Sequence, residues 1–462
     1  MKSVHFVGIC GTAMASAAAA MVERGYVVTG SDQNVYPPMS TFLAEKGIPV
    51  ISGYSENNLR DKPDLVVIGN AISRGNLEAE AVLEQKLRYC SLPELLREFF
   101  IRGRKSLVVT GTHGKTTTSS LLAWVFEHSR KNPSYLIGGI PNNLQQGARF
   151  TDSEFFIIEG DEYDTAFFDK RSKFVHYLPE VVIINNIEFD HADIFENLGA
   201  IQLSFKRLIN LVPRNGLLLG NGDDGNIEPL LGVKHCPIAR FGFGENCGIR
   251  ATDLRLDGAG SRFRVGGHDF QVPLIGELNV RNALAVVACA RHYGLSEAEI
   301  QSAFDTFMGV KRRMEIRGVS GGVTVIDDFG HHPTAIRETM RALRVRFPGQ
   351  RVWAVFEPRS NTTRRNVFQN EITEALAMAD GVVVAQVARL EQLQPHERLD
   401  PERLIRSLQE SGRRAFYLPN ADAIVERLAS EVRKGEVVCV FSNGGFGGIH
   451  EKLLRQFGAG TL

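Results

Sequence analysis

The chain has 462 residues, 43% hydrophobic and 23% charged, the balance of a globular protein with room for about three domains. Lys plus Arg and Asp plus Glu both number 53. This leaves no net field to draw the chain to nucleic acid or a membrane, and no apolar run reaches membrane-spanning length.

Residues 1–104 read as an α/β unit. The spacing predicts a strand over 4–7, a turn over 8–14 (GICGTAM) and a small-residue helix over 15–24. A second strand over 26–30 ends at Ser31 and Asp32, and a third over 65–68 ends at Gly69 and Asn70. Such alternation builds a parallel sheet with crossover helices, whose ligands lie outside the carboxyl ends of the strands. Asp32 stands at about the distance that holds a dinucleotide ribose. The turn, however, is GxxGxxM rather than GxGxxG, which favours a different phosphate-bearing ligand over NAD. The N-terminus shows no signal-peptide cleavage layout. The cysteines (Cys10, Cys90, Cys236, Cys247, Cys289, Cys439) are scattered without a CxxC pair, as reduced thiols in a cytoplasm would be.

Residues 105–311 open on a strand over 106–109, the stretch Thr110-Gly111-Thr112-His113-Gly114-Lys115-Thr116-Thr117-Thr118, and a helix over 119–126. Strand, glycine-rich turn, Lys-Thr and helix form the layout of a phosphate-binding loop. Free N–H groups at a helix start stabilise phosphate oxygens. Lys115 adds charge at the terminal phosphates, and Thr116 offers a hydroxyl to Mg²⁺. The general pattern has four residues between the glycines; here there are two. A strand over 155–158 delivers Glu159-Gly160-Asp161-Glu162, and one over 181–184 delivers Asn185-Asn186 and then Glu188-Phe189-Asp190-His191-Ala192-Asp193. Acidic strand ends beside a phosphate loop suggest Mg²⁺ coordination. Asn279 and Asn282, three apart, share one helix face and can match a purine edge; simple capping explains them equally well.

Residues 312–462 read as a third α/β unit. Its strands end in Asp327-Asp328-Phe329-Gly330-His331-His332, in Glu357-Pro358-Arg359-Ser360-Asn361-Thr362, and in a stretch with four glycines within five residues, 444–448. The expected fold class is therefore α/β in three domains: a Rossmann-like N-terminal domain (1–104), a central phosphate-loop ATPase-type domain (105–311) and a C-terminal Rossmann-like domain (312–462).

In this order, GTHGKTTT, the Glu159 cluster, Asp190-His191, Asn279-x-x-Asn282, Arg313 and Asp327-Asp328 resemble the Mur ligases over the whole chain. GICGTAM and DDFGHHPT resemble the branch that uses UDP-N-acetylmuramate. The resemblance implies an ATP- and Mg²⁺-dependent amide-forming ligase of peptidoglycan metabolism, acting in the cytoplasm as a monomer, with no nucleic-acid or membrane partner. Residues 30–41, 161–177, 357–362 and 441–450 look like members that join UDP-N-acetylmuramate to L-alanyl-γ-D-glutamyl-meso-diaminopimelate; L-alanine ligation is the alternative.

The same resemblance implies roles for single residues. Gly111, Thr112, His113, Gly114, Lys115, Thr116 and Thr117 would cradle ATP. Asn279 and Asn282 would hold adenine, Asp328 the ribose, and Arg313 phosphate. Thr116 and Glu159 would hold one Mg²⁺, and His191 with Glu159 a second. Lys115, Glu159, His191 and Arg313 would carry catalysis. Gly11, Thr12, Ser31, Asp32 and Asn70 would bind the UDP sugar. His332, Arg359 and Asn361 would face the amino substrate. Gly160 stands where alanine is usual, an exchange expected to matter little. Lys206, near the spacing of a carbamylated lysine in relatives, reads as a surface lysine.

Overall fold

The computed structural model describes residues 2–192 and 194–459. Asp193, in the acidic stretch after the strand over 181–184, lies outside them. Among the described residues no helix is long and apolar enough to cross a membrane.

The first sheet has five parallel strands in the order Val50–Ser52, Val27–Asp32, Ser3–Val7, Leu65–Ile68, Tyr89–Ser91. The order reverses beside the central strand, which makes its carboxyl end the crevice where ligands of doubly wound sheets sit. The helix Thr12–Glu23 buries Ala15, Ala17, Ala18, Ala19 and Ala20, small side chains that let it lie close to the sheet. It starts three residues earlier than expected, because Gly11 is already its extended N-cap. The second strand runs two residues further than expected. The Ser31 carbonyl accepts the N–H groups of Gly8 and Ile9, so the ladder continues into the turn.

The central sheet has eight strands: Ile249–Arg250, Ile238–Gly242, Leu217–Asn221, Pro179–Ile184, Lys105–Thr110, Phe155–Glu159, Ser134–Leu136 and Ala148–Arg149. Only the last pair is antiparallel. A three-stranded antiparallel sheet (Thr252–Asp257, Gly260–Val265, His268–Val272) and a short hairpin (Asp164–Ala166, Asp169–Ser172) are additions the sequence reading did not anticipate. Gly160 also departs from expectation. A Cβ there would lie 2.5 Å from Thr110 Cγ2 and 2.8 Å from Val108 Cγ1, so alanine does not fit.

The third sheet runs Glu315–Ser320, Val323–Asp328, Val437–Phe441, Val352–Phe356, Gly381–Ala385, Arg414–Leu418, with the first strand antiparallel to the rest. The α/β class with three such sheets is the one expected. The units are packed together. Phe100 meets Phe150 across the first junction (ring centroids 4.5 Å apart), and Phe189 meets Phe368 across the second (6.4 Å).

Candidate functional site

A cavity of about 980 Å³ lies where the carboxyl ends of the central and third sheets face each other. Its wall includes the phosphate loop, Glu159, His191, Asn279, Arg313, Asp328 and Arg359.

The phosphate loop bridges the strand Lys105–Thr110 and the helix Lys115–His128. Gly111 (φ 125°) and Gly114 (φ 80°) take backbone conformations that side chains rarely adopt. A Cβ on Gly111 would lie 2.9 Å from both the backbone N and O of Asn186. Asn186 braces the loop: its carbonyl accepts Thr112 N–H (3.0 Å) and its Oδ1 accepts His113 N–H (2.7 Å).

Lys115 Nζ donates to the Gly111 carbonyl (2.6 Å) and to Glu162 Oε2 (3.0 Å). Burial alone would depress this ammonium's pKa, but the carboxylates of Glu162 and Asp161 outweigh it and hold it above its ordinary value. Thr116 Oγ1 donates to Glu159 Oε2 (3.4 Å) and accepts from Arg313 Nη2 (3.3 Å). Thr117, one residue on, is buried in the same first turn. Glu159 Oε1 accepts from Ser119 Oγ (3.2 Å) and Gly138 N–H (2.9 Å). Burial, with Asp161 nearby, pushes the Glu159 carboxyl up. The sequence reading missed Gly138 and Ser119; the glycine pair 138–139 after a short strand was the available signal.

His191 sits in left-handed backbone (φ 55°), its ring 4.2 Å from that of Tyr163. Asp190 Oδ1 accepts His191 N–H (2.7 Å) and Thr362 Oγ1 from the third unit (2.9 Å). Burial would raise the Asp190 carboxyl, but the imidazoles of His191, His331 and His332 hold it well below the carboxylate range.

Asn279 and Asn282 do share a face, joined by a 3.2 Å amide hydrogen bond. Asn282 is 1% exposed and packs behind the loop, where a Cβ on Gly114 would come within 2.5 Å of its Oδ1. That oxygen is buried and has no hydrogen-bond partner among the described residues. Asp328 accepts Met314 N–H (2.8 Å) and Gly330 N–H (2.7 Å), and burial pushes its carboxyl up. Arg359 lies 3.8 Å from Glu357, and Asn361 Oδ1 accepts from Arg364 (2.6 Å).

Some expectations change. Ser31 is fully buried and its hydroxyl donates to Glu78 Oε2 (2.6 Å), so it faces the interior of the first unit rather than a ligand. His332 lies on the cavity wall, but Nε2 faces the Phe189 carbonyl (3.2 Å) and Nδ1 accepts Thr334 N–H (3.3 Å), which occupies both ring nitrogens. Gly11, Thr12, Asp32 and Asn70 do not line this cavity. Asp32 clamps the glycine turn by accepting Cys10 N–H (2.9 Å), and Asn70 Nδ2 donates to the Asp164 carbonyl of the central unit (3.0 Å). Lys206 is exposed on the helix Leu198–Ile209 and does not line the cavity.

Comparison with known proteins gives three family matches in chain order: "Mur ligase family, catalytic domain" over residues 3–104, "Mur ligase middle domain" over 109–290, and "Mur ligase, glutamate ligase domain" over 312–444. The chain is 42% identical to the UDP-N-acetylmuramate–L-alanyl-γ-D-glutamyl-meso-2,6-diaminoheptandioate ligase of Escherichia coli, covering 98% of this chain and 97% of that one. It is 33% identical to the UDP-N-acetylmuramate–L-alanine ligase of Salinibacter ruber, covering 96% and 92%. A crystal structure of a murein peptide ligase from Psychrobacter arcticus superposes with a TM-score of 0.73 at 35% identity, covering 99% of each chain. The chain belongs to the Mur ligase family, whose members are ATP-dependent ligases that form carbon–nitrogen bonds.

Proposed function

We propose that this protein joins the carboxylate of UDP-N-acetylmuramate to the amine of L-alanyl-γ-D-glutamyl-meso-diaminopimelate, releasing ADP and phosphate, in peptidoglycan recycling in the bacterial cytoplasm. The observation that carries this reading is the 42% identity over nearly the whole chain to a ligase of that name, against 33% to an alanine ligase.

The muramate carboxylate attacks the γ-phosphate of ATP to give an acyl phosphate. The peptide amine then attacks the acyl carbon, and the tetrahedral adduct loses phosphate. The first step brings an anion to a polyanion. Two like unit charges 4 Å apart repel by about 4 kcal/mol at an effective dielectric near 20. Lys115 and Arg313, both on the cavity wall, offset that repulsion. Nucleotide binding requires Lys115 to exchange Glu162 for phosphate.

Thr116 and Glu159 suit Mg²⁺. Oxygen ligands at about 2.1 Å stand about 3.0 Å apart in an octahedron, and these two oxygens are 3.4 Å apart. A carboxylate whose buried charge is already disfavoured gains from a cation. His191 and Glu159 would hold a second ion. Bound there, Mg²⁺ supplies charge neutralisation on the transferring phosphoryl group. Asn279 and Asn282 back the loop on the adenine side, and Asp328 reaches the ribose. Gly11, Thr12, Asp32 and Asn70 hold the UDP sugar at the end of the first sheet, and Arg359 and Asn361 hold the peptide. Closure of the first unit excludes water from the acyl phosphate.

The test is ADP release with UDP-N-acetylmuramate plus either the tripeptide or L-alanine. Preference for the tripeptide is expected. Strong preference for L-alanine overturns the substrate assignment, and no release with either overturns the ligase reading.

A further inference from the structure

Two imidazoles and a carboxylate from three separate segments converge at the phosphate loop, through residues other than Thr116 and Glu159. The main-chain N–H of His113 is held by Asn186, while its buried ring places Nε2 3.3 Å from Glu188 Oε2. From the third unit, His332 Nδ1 lies 3.5 Å from the same oxygen. The three donor atoms all lie within 4.8 Å of one another, and both histidines are buried. The imidazole rings are in contact, with centroids 4.5 Å apart.

We propose that His113, Glu188 and His332 form a binding site for a borderline-soft divalent cation of the Zn²⁺ or Co²⁺ class, separate from the Mg²⁺ position on the phosphate loop.

The spacing fits that chemistry. Zinc binds imidazole nitrogen and carboxylate oxygen at about 2.0–2.2 Å, which puts neighbouring donors of a tetrahedron about 3.4 Å apart. The two measured edges, 3.3 and 3.5 Å, bracket this value. Two imidazoles select zinc, cobalt or nickel over magnesium, which prefers oxygen donors. The surroundings of the ligands fit as well. His332 Nε2 faces the Phe189 carbonyl at 3.2 Å, which fixes the proton there and leaves Nδ1 as the unprotonated nitrogen, held without an ion by Thr334 N–H at 3.3 Å. Thr334 Oγ1 donates to Glu188 Oε2 at 2.7 Å and steers the carboxylate. The ion would replace the long bond from Thr334 N–H to His332 Nδ1 and the bond between His113 and Glu188.

The ligands come from the phosphate loop, from the segment after the strand Pro179–Ile184, and from the N-cap of the helix Pro333–Arg346. An ion held there pins the third unit to the phosphate loop. Binding at this site therefore raises the melting temperature of the whole protein.

The experiment uses the full chain, stripped with a chelator and titrated with Co²⁺ in a large excess of Mg²⁺. The readouts are metal content and visible absorption. Wild type is expected to retain one Co²⁺ per chain, displaceable by Zn²⁺, with the absorption of a nitrogen-ligated ion. Glu188→Gln and His332→Asn should each reduce retention at least tenfold, and His191→Ala should leave it unchanged. Asparagine keeps a side-chain acceptor for Thr334 N–H, so the helix start survives the second exchange. No retention by wild type overturns the proposal, as does equal retention by Glu188→Gln and His332→Asn, or loss in His191→Ala. If the ligand variants fail to fold, the wild-type spectrum decides, and an all-oxygen spectrum overturns the site.

Discussion

Gly160→Ala is expected to weaken the fold by about 1–2 kcal/mol, although nothing in the backbone at 160 forbids alanine. Two effects compete. Alanine restricts the unfolded chain and alone would stabilise by about 0.4–1 kcal/mol. Against this, the added methyl would sit 2.5 Å from Thr110 Cγ2, 2.8 Å from Val108 Cγ1 and 3.3 Å from Phe174 Cβ. Carbon atoms rest at about 3.5–4.0 Å, so the neighbours must yield by roughly 1 Å. They cannot yield easily. Val108 and Thr110 are β-branched and stiff at χ1. Their strand is hydrogen-bonded on both sides, and Thr110 Oγ1 is pinned to the Ile183 carbonyl at 2.7 Å. Overpacking of this kind costs about 1–3 kcal/mol and outweighs the entropic gain. Urea unfolding should show a lower midpoint with an unchanged slope. Thr110→Ser removes Cγ2 and keeps the hydroxyl, so the double variant should recover part of the loss, with a coupling of at least about 0.5 kcal/mol. ADP release should fall as well, because residue 160 follows Glu159. A Gly160→Ala protein as stable as wild type, or a double variant with no recovery, would refute the reasoning.

Two further substitutions separate structural from chemical roles. Lys115→Ala should abolish ADP formation and also lower the melting temperature, because it strands the 4%-exposed Glu162 carboxylate, a loss that reaches about 3–5 kcal/mol for a broken buried pair. Adding Glu162→Gln should restore the melting temperature but not turnover; restored turnover would remove Lys115 from catalysis. Ser31→Ala should cost about 1–3 kcal/mol, because it takes a donor from the buried Glu78 carboxylate, and should leave the KM for UDP-N-acetylmuramate unchanged. A raised KM with an unchanged melting curve would return Ser31 to the ligand.

What was legible in the sequence was whatever repeats along a strand or sits at its end. The apolar runs before Glu159, Asn185 and Asp328 are buried strands, and the polar residues after them reach one cavity. The helix face shared by Asn279 and Asn282 follows from spacing alone. Side-chain direction was not legible. Ser31 and Asp32 are adjacent at a strand end, and the pleat sends one inward to Glu78 and leaves the other on the turn. His332 looked like a substrate contact until its two nitrogens were seen to meet Phe189 and Thr334. The room around Gly160 depends on Thr110 and Phe174, which no local pattern links to it. The three-stranded sheet was missed although each strand alternates, as in Leu254-Arg255-Leu256-Asp257, Arg262-Phe263-Arg264-Val265 and Asp269-Phe270-Gln271-Val272; the strands are short, partly exposed and rich in charge.

The short glycine spacing of the phosphate loop has a physical counterpart in three asparagines. With two residues between Gly111 and Gly114, the loop has few internal partners for its own polar groups. Asn186 takes the N–H groups of Thr112 and His113 and returns its amide to the His113 carbonyl at 3.1 Å. Asn185 holds Thr118 Oγ1 at 3.0 Å, one turn into the helix. Asn282 fills the space that the missing side chain of Gly114 leaves open. The loop is thus fastened to the end of one strand and to the helix Glu277–His292, and Arg313 adds a contact from the linker to the third sheet. The course of its backbone is set by residues far from it in the chain, with Asn186 holding the Thr112 and His113 N–H groups. Substitution of Asn186 should therefore weaken ATP binding as severely as a change within the loop itself.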